Sequence, residues 1–525
     1  MISRVKGKAP SGAFPFLVYL LLRIRFGRIV PMRIKKRRQT MNFDIALQKI
    51  LDEFAEIAMI PRPSHHEEKI AAYLSGWAER HGLRCVQDEL GNVIMDKPAS
   101  PGCEKAPKVI LQAHMDMVCV AAEGVSYDPL EDPIQVKNDG KTLSAEGTSL
   151  GADDGIGIAL ILYLLADRGI SHGPLRAIFT VNEEDGMTSG AIDPKYLDGA
   201  YLINLDWEWL GSLCNSSAGG DFMAFSRKFE RCPAMENAVM LRMELGGLLG
   251  GHSGVDIHRG RANALTCMAR LLCTLSEKHI AYQLLDFHGG QARNAIPASA
   301  EATVLLQSEH LPEAQRLIED YMDACKSYYQ EIETGLKFRC EAAEACAEGA
   351  IPDEAVSALL RLLLALPNGV HTMSPYVEGL VESSQNLGLL KTGPGYFRLS
   401  AMERSCSAYR AEELLSICRL LAETYGFVYE AGEHSPAWEV NPRSRLTPLA
   451  CEVYQELTGD RMVVEPVHGA LECGAFFEKN PNMDMIAIGP SLLNVHTPKE
   501  TCDLHSVQVT AELISGILQR IGRQG

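Results

Sequence analysis

Two adjacent glutamates, Glu183 and Glu184, follow the apolar run 175–180 in the stretch Val181-Asn182-Glu183-Glu184-Asp185-Gly186. A run entered from Gly173-Pro174 and left through Gly186 predicts a buried strand that hands its last side chains to a loop. Adjacent carboxylates repel, and a bound metal ion is the strongest charge that could hold them together. A lone pair of this kind is more often a solvated acidic turn, so the residues elsewhere in the chain decide. The apolar run 108–113 ends in His114-Met115-Asp116, where a carboxylate close to an imidazole can fix its tautomer for ligation. The run 200–205 ends in Asp206, and the glycine-rich stretch 146–157 carries Asp153-Asp154 at the mouth of an apolar helix, 158–165. Such glycine density could cradle a phosphate, but two acids at the same turn argue for a cation, and neither GxGxxG nor a Gly-Lys-Ser/Thr loop is present. In open α/β sheets ligands bind outside the carboxyl ends of strands. A second nitrogen donor follows the strand and turn at 485–490, in His496-Thr497-Pro498. On the residues alone Asp154 serves as well as Asp153, and Glu183 as well as Glu184; Asp185 has no assigned role.

The elements that must carry these groups are regular. A helix over 43–59 is closed by Pro61 and Pro63, and Ser64-His65-His66-Glu67 reads as a capping box opening a second helix to about residue 80. That reading makes His65 and His66 surface residues of the first turn. Short strands at 84–87 and 92–96 follow, and the alternation of strands and helices is that of an α/β layer fold. A chain of 525 residues is too long for one core, so at least two domains are expected. The net charge of −17 excludes nucleic acid as the main partner. Fifteen cysteines scattered without a CxxC pair predict reduced thiols in a cytoplasmic protein. Residues 1–40 differ from the rest, with eleven Lys and Arg, no Asp or Glu, and an apolar run, 14–22, too short to span a bilayer. They are expected to be an extension ahead of a functional chain that begins near Met41, and no membrane partner is expected.

Taken in order, His114-x-Asp116, Gly151-Ala152-Asp153-Asp154-Gly155, Glu183-Glu184, Asp206 and His496-x-Pro498 resemble the motifs of the co-catalytic zinc peptidases related to carboxypeptidase G, aminoacylase and tripeptidase T. Within that superfamily the chain is most similar to the aminoacyl-histidine dipeptidases, through 250–258, 366–370, 378–383 and His468-Gly-Ala-Leu-Glu-Cys-Gly474. The resemblance runs from Met41 to the C-terminus. It implies a catalytic domain with a mixed sheet flanked by helices, interrupted by an inserted α+β lid and dimerisation domain. It also implies two zinc ions, for which manganese or cobalt could substitute. Asp153 would bridge them, His114 and Asp206 would hold one, and Glu184 and His496 the other. Asp116 would orient His114, Glu183 would be the general base, and a cis peptide would join Asp153 to Asp154.

The expected division is an extension over 1–40, catalytic segments over 41–218 and 411–525, and the lid over 219–410. Lid strands are predicted at 238–245, 300–306 and 396–401, and lid helices at 261–277, 312–329 and 354–366. By likeness to the family, His252 is a candidate oxyanion donor. Arg293, Asn294 and Arg404 are candidates to grip a substrate carboxylate, and His468 and Glu472 fall in the pocket or just behind the ligands. Asp503-Leu504-His505-Ser506 reads as the cap of the last helix, 509–521, rather than as a ligand site. The implied activity is cleavage of small unblocked dipeptides, Xaa-His among them, by a homodimer. An amidohydrolase of N-blocked amino acids and a non-catalytic metal-binding scaffold are the competing readings.

Overall fold

The computed structural model describes residues 40–186, 188–344 and 349–523, so the expectation for the basic extension falls, but for its last residue, outside the described residues. Six strands form a mixed sheet in the order Arg84–Gln87, Val93–Lys97, Leu175–Thr180, Val109–His114, Tyr201–Asn204 and Asp484–Ala487. The last four run parallel, so their carboxyl ends open on one edge. Strand periodicity divides their side chains between two cores. Val109, Leu111 and Ala113 join a core with the helices Thr40–Ala58, Ala152–Ala166 and Leu504–Gly522. Ile110, Ile178 and Leu202 face the helix Glu472–Lys479 and Trp438 on the other side. The helix Ala152–Ala166 is apolar on every face and accordingly buried along almost its whole length.

The second sheet has nine strands, all paired antiparallel, and draws on residues 220–435. Helices Ala264–Glu277, Leu311–Tyr329, Asp353–Ala365 and Ala408–Thr424 contribute to its main apolar core. Along Tyr396–Ser405, Phe397, Leu399 and Ala401 enter that core while Arg404 lies on the opposite face.

Three expectations change. The strand Val428–Ser435 pairs in the nine-stranded sheet and the helix Ala408–Thr424 packs in its core, so that sheet runs to Ser435 rather than stopping at 410. Cys418 and Ala422 of the helix, and Phe427 between helix and strand, are buried in the second core. The capping box is absent: the second helix is Glu68–Arg80 and its Glu67 cap makes no side-chain hydrogen bond to it. Glu67 instead accepts the N–H groups of Asn182 and His65 (2.9 and 3.2 Å), and the Ser64 hydroxyl donates to Asp116 Oδ2 (2.7 Å). The last helix begins earlier than expected, at Leu504, and is capped by Asp503, which accepts from the Ser506 N–H. Among the described residues every cysteine is a free thiol, and no helix is long and apolar enough to cross a membrane.

Candidate metal centre

The four parallel strands deliver their groups to one place. His114 is the last residue of its strand and 1% exposed. Its Nδ1 lies 3.1 Å from the Asp116 carbonyl and 3.4 Å from Asp116 Oδ1, and its Nε2 lies 3.0 Å from Asp153 Oδ1 and 3.9 Å from Asp206 Oδ1. His496 approaches from the opposite side, with Nε2 at 3.1 Å from Asp153 Oδ2 and 2.9 Å from Glu184 Oε1. Asp153 therefore touches both imidazoles, one through each oxygen. Asp154, joined to it by a cis peptide, accepts the backbone N–H of His114 instead (3.3 Å). Ligating atoms of His114, Asp153 and Glu184, and of His114, Asp154 and Asp206, lie within 4.8 Å of one another. The second group leaves Asp154 a geometric rival to Asp153 on the His114 side.

Asp116 is fully buried and accepts three donors, Ser64 Oγ and the N–H groups of Glu183 and Glu184 (3.0 and 3.1 Å). One carboxylate thus orients an imidazole and pins the loop carrying both glutamates. Three non-glycine residues with positive φ ring the cluster: His65 (68°), Asn182 (54°) and His496 (60°). Backbone held in that sparsely populated region gathers at functional sites.

The centre is crowded with negative charge. Burial, then the neighbouring carboxylates, pushes Asp206 well above the usual carboxylate range. For Asp154 burial acts first, and the Asp153 charge adds to it. Burial, with the charges of Glu472, Glu184 and Asp153, raises Glu183 to about 8. Hydrogen bonds to Asp153 and Glu184 raise His496 to about 10. For His114, burial opposes the proton, but Asp116, Asp153 and Asp206 outweigh it and hold the imidazole protonated. These acids draw protons onto groups that would otherwise lack them, which is the behaviour of a site built around cations.

A second polar group occupies the other sheet. Arg404, 5% exposed, donates from Nε to Ser253 Oγ (3.4 Å), and its Nη2 lies 3.2 Å from His252 Nε2. His252 Nδ1 accepts the N–H groups of Gly254 and Val255 (3.2 and 3.3 Å), so donors face the ring at both of its nitrogens. The Arg404 guanidinium is the group there that an anion would meet. Burial and the charge of Arg404 lower His252 to about 4, and the same two causes, helped by His258, lower His468 to about 3. His468 Nε2 pairs with Ser384 Oγ (2.8 Å). Arg293 stands apart from this group: it forms an ion pair with Glu433 (2.5 Å) and covers the Phe222 ring. The Asn294 carbonyl accepts the Ser253 N–H in the His252 turn (3.0 Å). Among the described residues no hydrogen bond or ion pair joins the two polar groups.

Sequence reasoning missed Arg62 and Glu500, both buried and both bonded to the loops that carry the ligands. Glu500 had a local signal in its position four residues after His496; Arg62, between two prolines, had none. Glu472 is fully buried beneath the catalytic strands, accepting from Gln112 Nε2 (2.6 Å) and Thr180 Oγ1 (2.8 Å).

The signature of Peptidase family M20/M25/M40 matches residues 110–520. The chain belongs to this family. The peptidase is 34% identical over 475 residues to the cytosol non-specific dipeptidase of Escherichia coli (strain K12), covering 90% of this chain and 98% of that protein. It is similar to the crystal structure of aminoacylhistidine dipeptidase from Vibrio alginolyticus, with a TM-score of 0.84, 34% identity, and coverage of 90% and 96% of the two chains. It shares the fold of aminopeptidase PepT from Bacillus cereus at 15% identity and a TM-score of 0.52, over 90% of this chain and 98% of that one. The mixed α/β architecture expected from the sequence is the fold of this family.

Proposed function

We propose that this peptidase hydrolyses the peptide bond of small unblocked dipeptides, Xaa-His among them, with two zinc ions held at the His114–His496 centre. The observation that carries the proposal is the position of Asp153 between two imidazoles, with Glu184 and Asp206 flanking them. The donor set fits zinc: imidazole nitrogen and carboxylate oxygen, with a carboxylate behind His114 to fix its tautomer. Likeness to two dipeptidases along nearly their whole length supports the substrate class.

His114, Asp153 and Asp206 would hold one ion, and Asp153, Glu184 and His496 the other. Bound ions would supply Lewis acidity, polarising the scissile carbonyl and lowering the pKa of water. Glu183 acts as general base: its carboxylate takes a proton from the attacking water and passes it to the leaving amine. Asp116 holds Nδ1 of His114 and, through two N–H groups, the backbone that aims Glu183. The nine-stranded region is the lid, where the guanidinium of Arg404 takes the substrate carboxylate and the His252 imidazole is the donor to the developing oxyanion. Exposed apolar groups on that region, Tyr328, Tyr376, Tyr409, Leu420 and Val428 among them, support a homodimer formed through it. The free thiols and the cytosol dipeptidase relative support a cytoplasmic enzyme.

The test is amino-acid release from a panel of dipeptides, tripeptides and N-acylated amino acids, with and without a chelator. Chelator-sensitive cleavage confined to free dipeptides is expected. Turnover of the blocked substrates alone would make the enzyme an amidohydrolase. Inactivity of zinc-loaded protein across the panel would leave a non-catalytic scaffold.

A further inference from the structure

The carboxylate of Glu500, 3% exposed, accepts four backbone N–H groups from a loop some 350 residues earlier in the chain. Oε2 takes Leu150 and Gly151 (2.8 and 3.0 Å), and Oε1 takes Ala152 and Asp153 (2.8 and 3.3 Å). Three of these belong to Gly151, Ala152 and Asp153, the turn that leads through a kink at Asp153 and Asp154, both non-helical in φ/ψ, into the helix ending at Ala166. Gly151 offers no side chain to satisfy them, so a carboxylate from a distant turn does so.

Arg62 grips the same loop from the other side. Its Nη2 donates to the Gly151 carbonyl (2.5 Å), and its Nη1 to the carbonyls of Met115 and Asp116 (2.8 Å each). The loop has little slack: Gly151 has φ of 66°, and a Cβ there would meet Met117 Sδ at 2.6 Å and Arg62 Nη2 at 2.8 Å. Arg62 thereby ties the Asp153 loop to the end of the His114 strand. Glu500 ties it to the turn that carries His496, where its own N–H donates to the Thr497 carbonyl (3.1 Å).

We propose that Glu500 is a positioning residue of the metal centre, fixing Asp153 relative to His496 and so setting the affinity of the ion that these two share with Glu184. The proposal rests on the two-ion reading above. A shift of this clamp alters the Asp153–His496 side, while His114 and Asp206 keep their own strand anchors.

The substitution Glu500→Gln turns one acceptor oxygen into a donor, leaving two backbone N–H groups facing an NH2. Glu500→Asp keeps both oxygens and the charge but withdraws them by one methylene. Metal-free full-length protein is titrated with cobalt(II), followed by visible absorption, and bound zinc is counted by elemental analysis. Wild type is expected to bind two equivalents. In E500Q the second equivalent weakens about ten- to hundred-fold, the first, which keeps His114 and Asp206 beside Asp153, weakens less, and the visible band of the second site changes. Its kcat falls with KM little altered, and excess metal restores part of kcat. E500D recovers most of the affinity, a few-fold short of wild type. An E500Q protein with the wild-type second equivalent and spectrum overturns the proposal. Should E500Q not fold, E500D decides: a second equivalent weakened a few-fold supports the proposal, and an unchanged one overturns it. Wild type that binds a single equivalent sinks the two-ion reading itself, a failure visible before any variant is made.

Discussion

Around His114 and His496 the carboxyl groups outnumber the imidazoles, whereas around Arg404 the imidazoles of His252 and His468 outnumber the one close carboxyl, that of Glu403. In the first region histidines are driven to hold protons, with His496 raised to about 10; in the second they are driven to lose them, with His252 lowered to about 4. The first arrangement calls for cations and the second for an anion. Under the proposed function a dipeptide would present its scissile carbonyl to one and its terminal carboxylate to the other, so the opposition in charge would give the substrate a direction.

The contrast breaks most completely at the base. Glu183→Ala is expected to keep fold and zinc yet lower kcat by about 10²- to 10⁴-fold, since proton transfer is lost while the ligands stay. His496→Ala is expected to lose metal together with activity. Elemental analysis beside steady-state kinetics separates the two; wild-type turnover in the first variant, or two bound ions in the second, would remove the assigned role.

On the cationic side the effect moves to substrate binding. Arg404→Met is expected to leave zinc content unchanged and raise KM by about 10- to 100-fold, the worth of a charge-assisted hydrogen bond of ~1.5–3 kcal/mol. A dipeptide amide, lacking the carboxylate, should then serve wild type and variant equally. If the variant still prefers the free acid over the amide as strongly as wild type does, Arg404 is not its partner.

The acid-rich centre was legible because each group follows an apolar run or a glycine turn, so type and position appear together within a few residues, as in His114-x-Asp116 and Glu183-Glu184. The nine-stranded region was legible only in part. Strands such as Ala300–Gln307 bury enough apolar residues to read, but Lys337–Glu344 and Val428–Ser435 are mostly exposed sheet edges whose charged residues mask a short apolar period. Arg62 and Glu500 were hidden for another reason. Their partners are main-chain atoms of a distant loop, and backbone groups leave no residue type in the sequence to pair with. Arg293 shows the converse: a well-placed arginine in the sequence that the fold commits to Glu433.

Acid should affect the cationic side in a predictable direction. Burial and Arg404 lower His468 to about 3 in the folded chain, whereas an unfolded imidazole titrates near ~6.5. Between these values the unfolded state binds the proton that the folded state refuses, so stability is lost as pH falls from ~6.5 toward 3, by at most about 1.4 kcal/mol per pH unit. His468→Gln should flatten the fall of Tm over that window. An equally steep fall in the variant would assign the acid sensitivity to other groups.

The smallest expected effect separates two accounts of one hydroxyl. Were Ser64 a helix cap, Ser64→Ala would cost about 1 kcal/mol of helix stability and leave the metal centre untouched. Its hydroxyl instead donates to Asp116 Oδ2 at 2.7 Å, and Asp116 retains the N–H groups of Glu183 and Glu184 after the change. Losing one of three donors should weaken zinc binding only a few-fold, about 1 kcal/mol, with thermal stability of the metal-free protein scarcely altered. A competitive chelator titration beside a melting curve decides. A lowered Tm with unchanged zinc affinity would return Ser64 to the helix, and the reverse result would extend the acid-rich centre to the turn that precedes it.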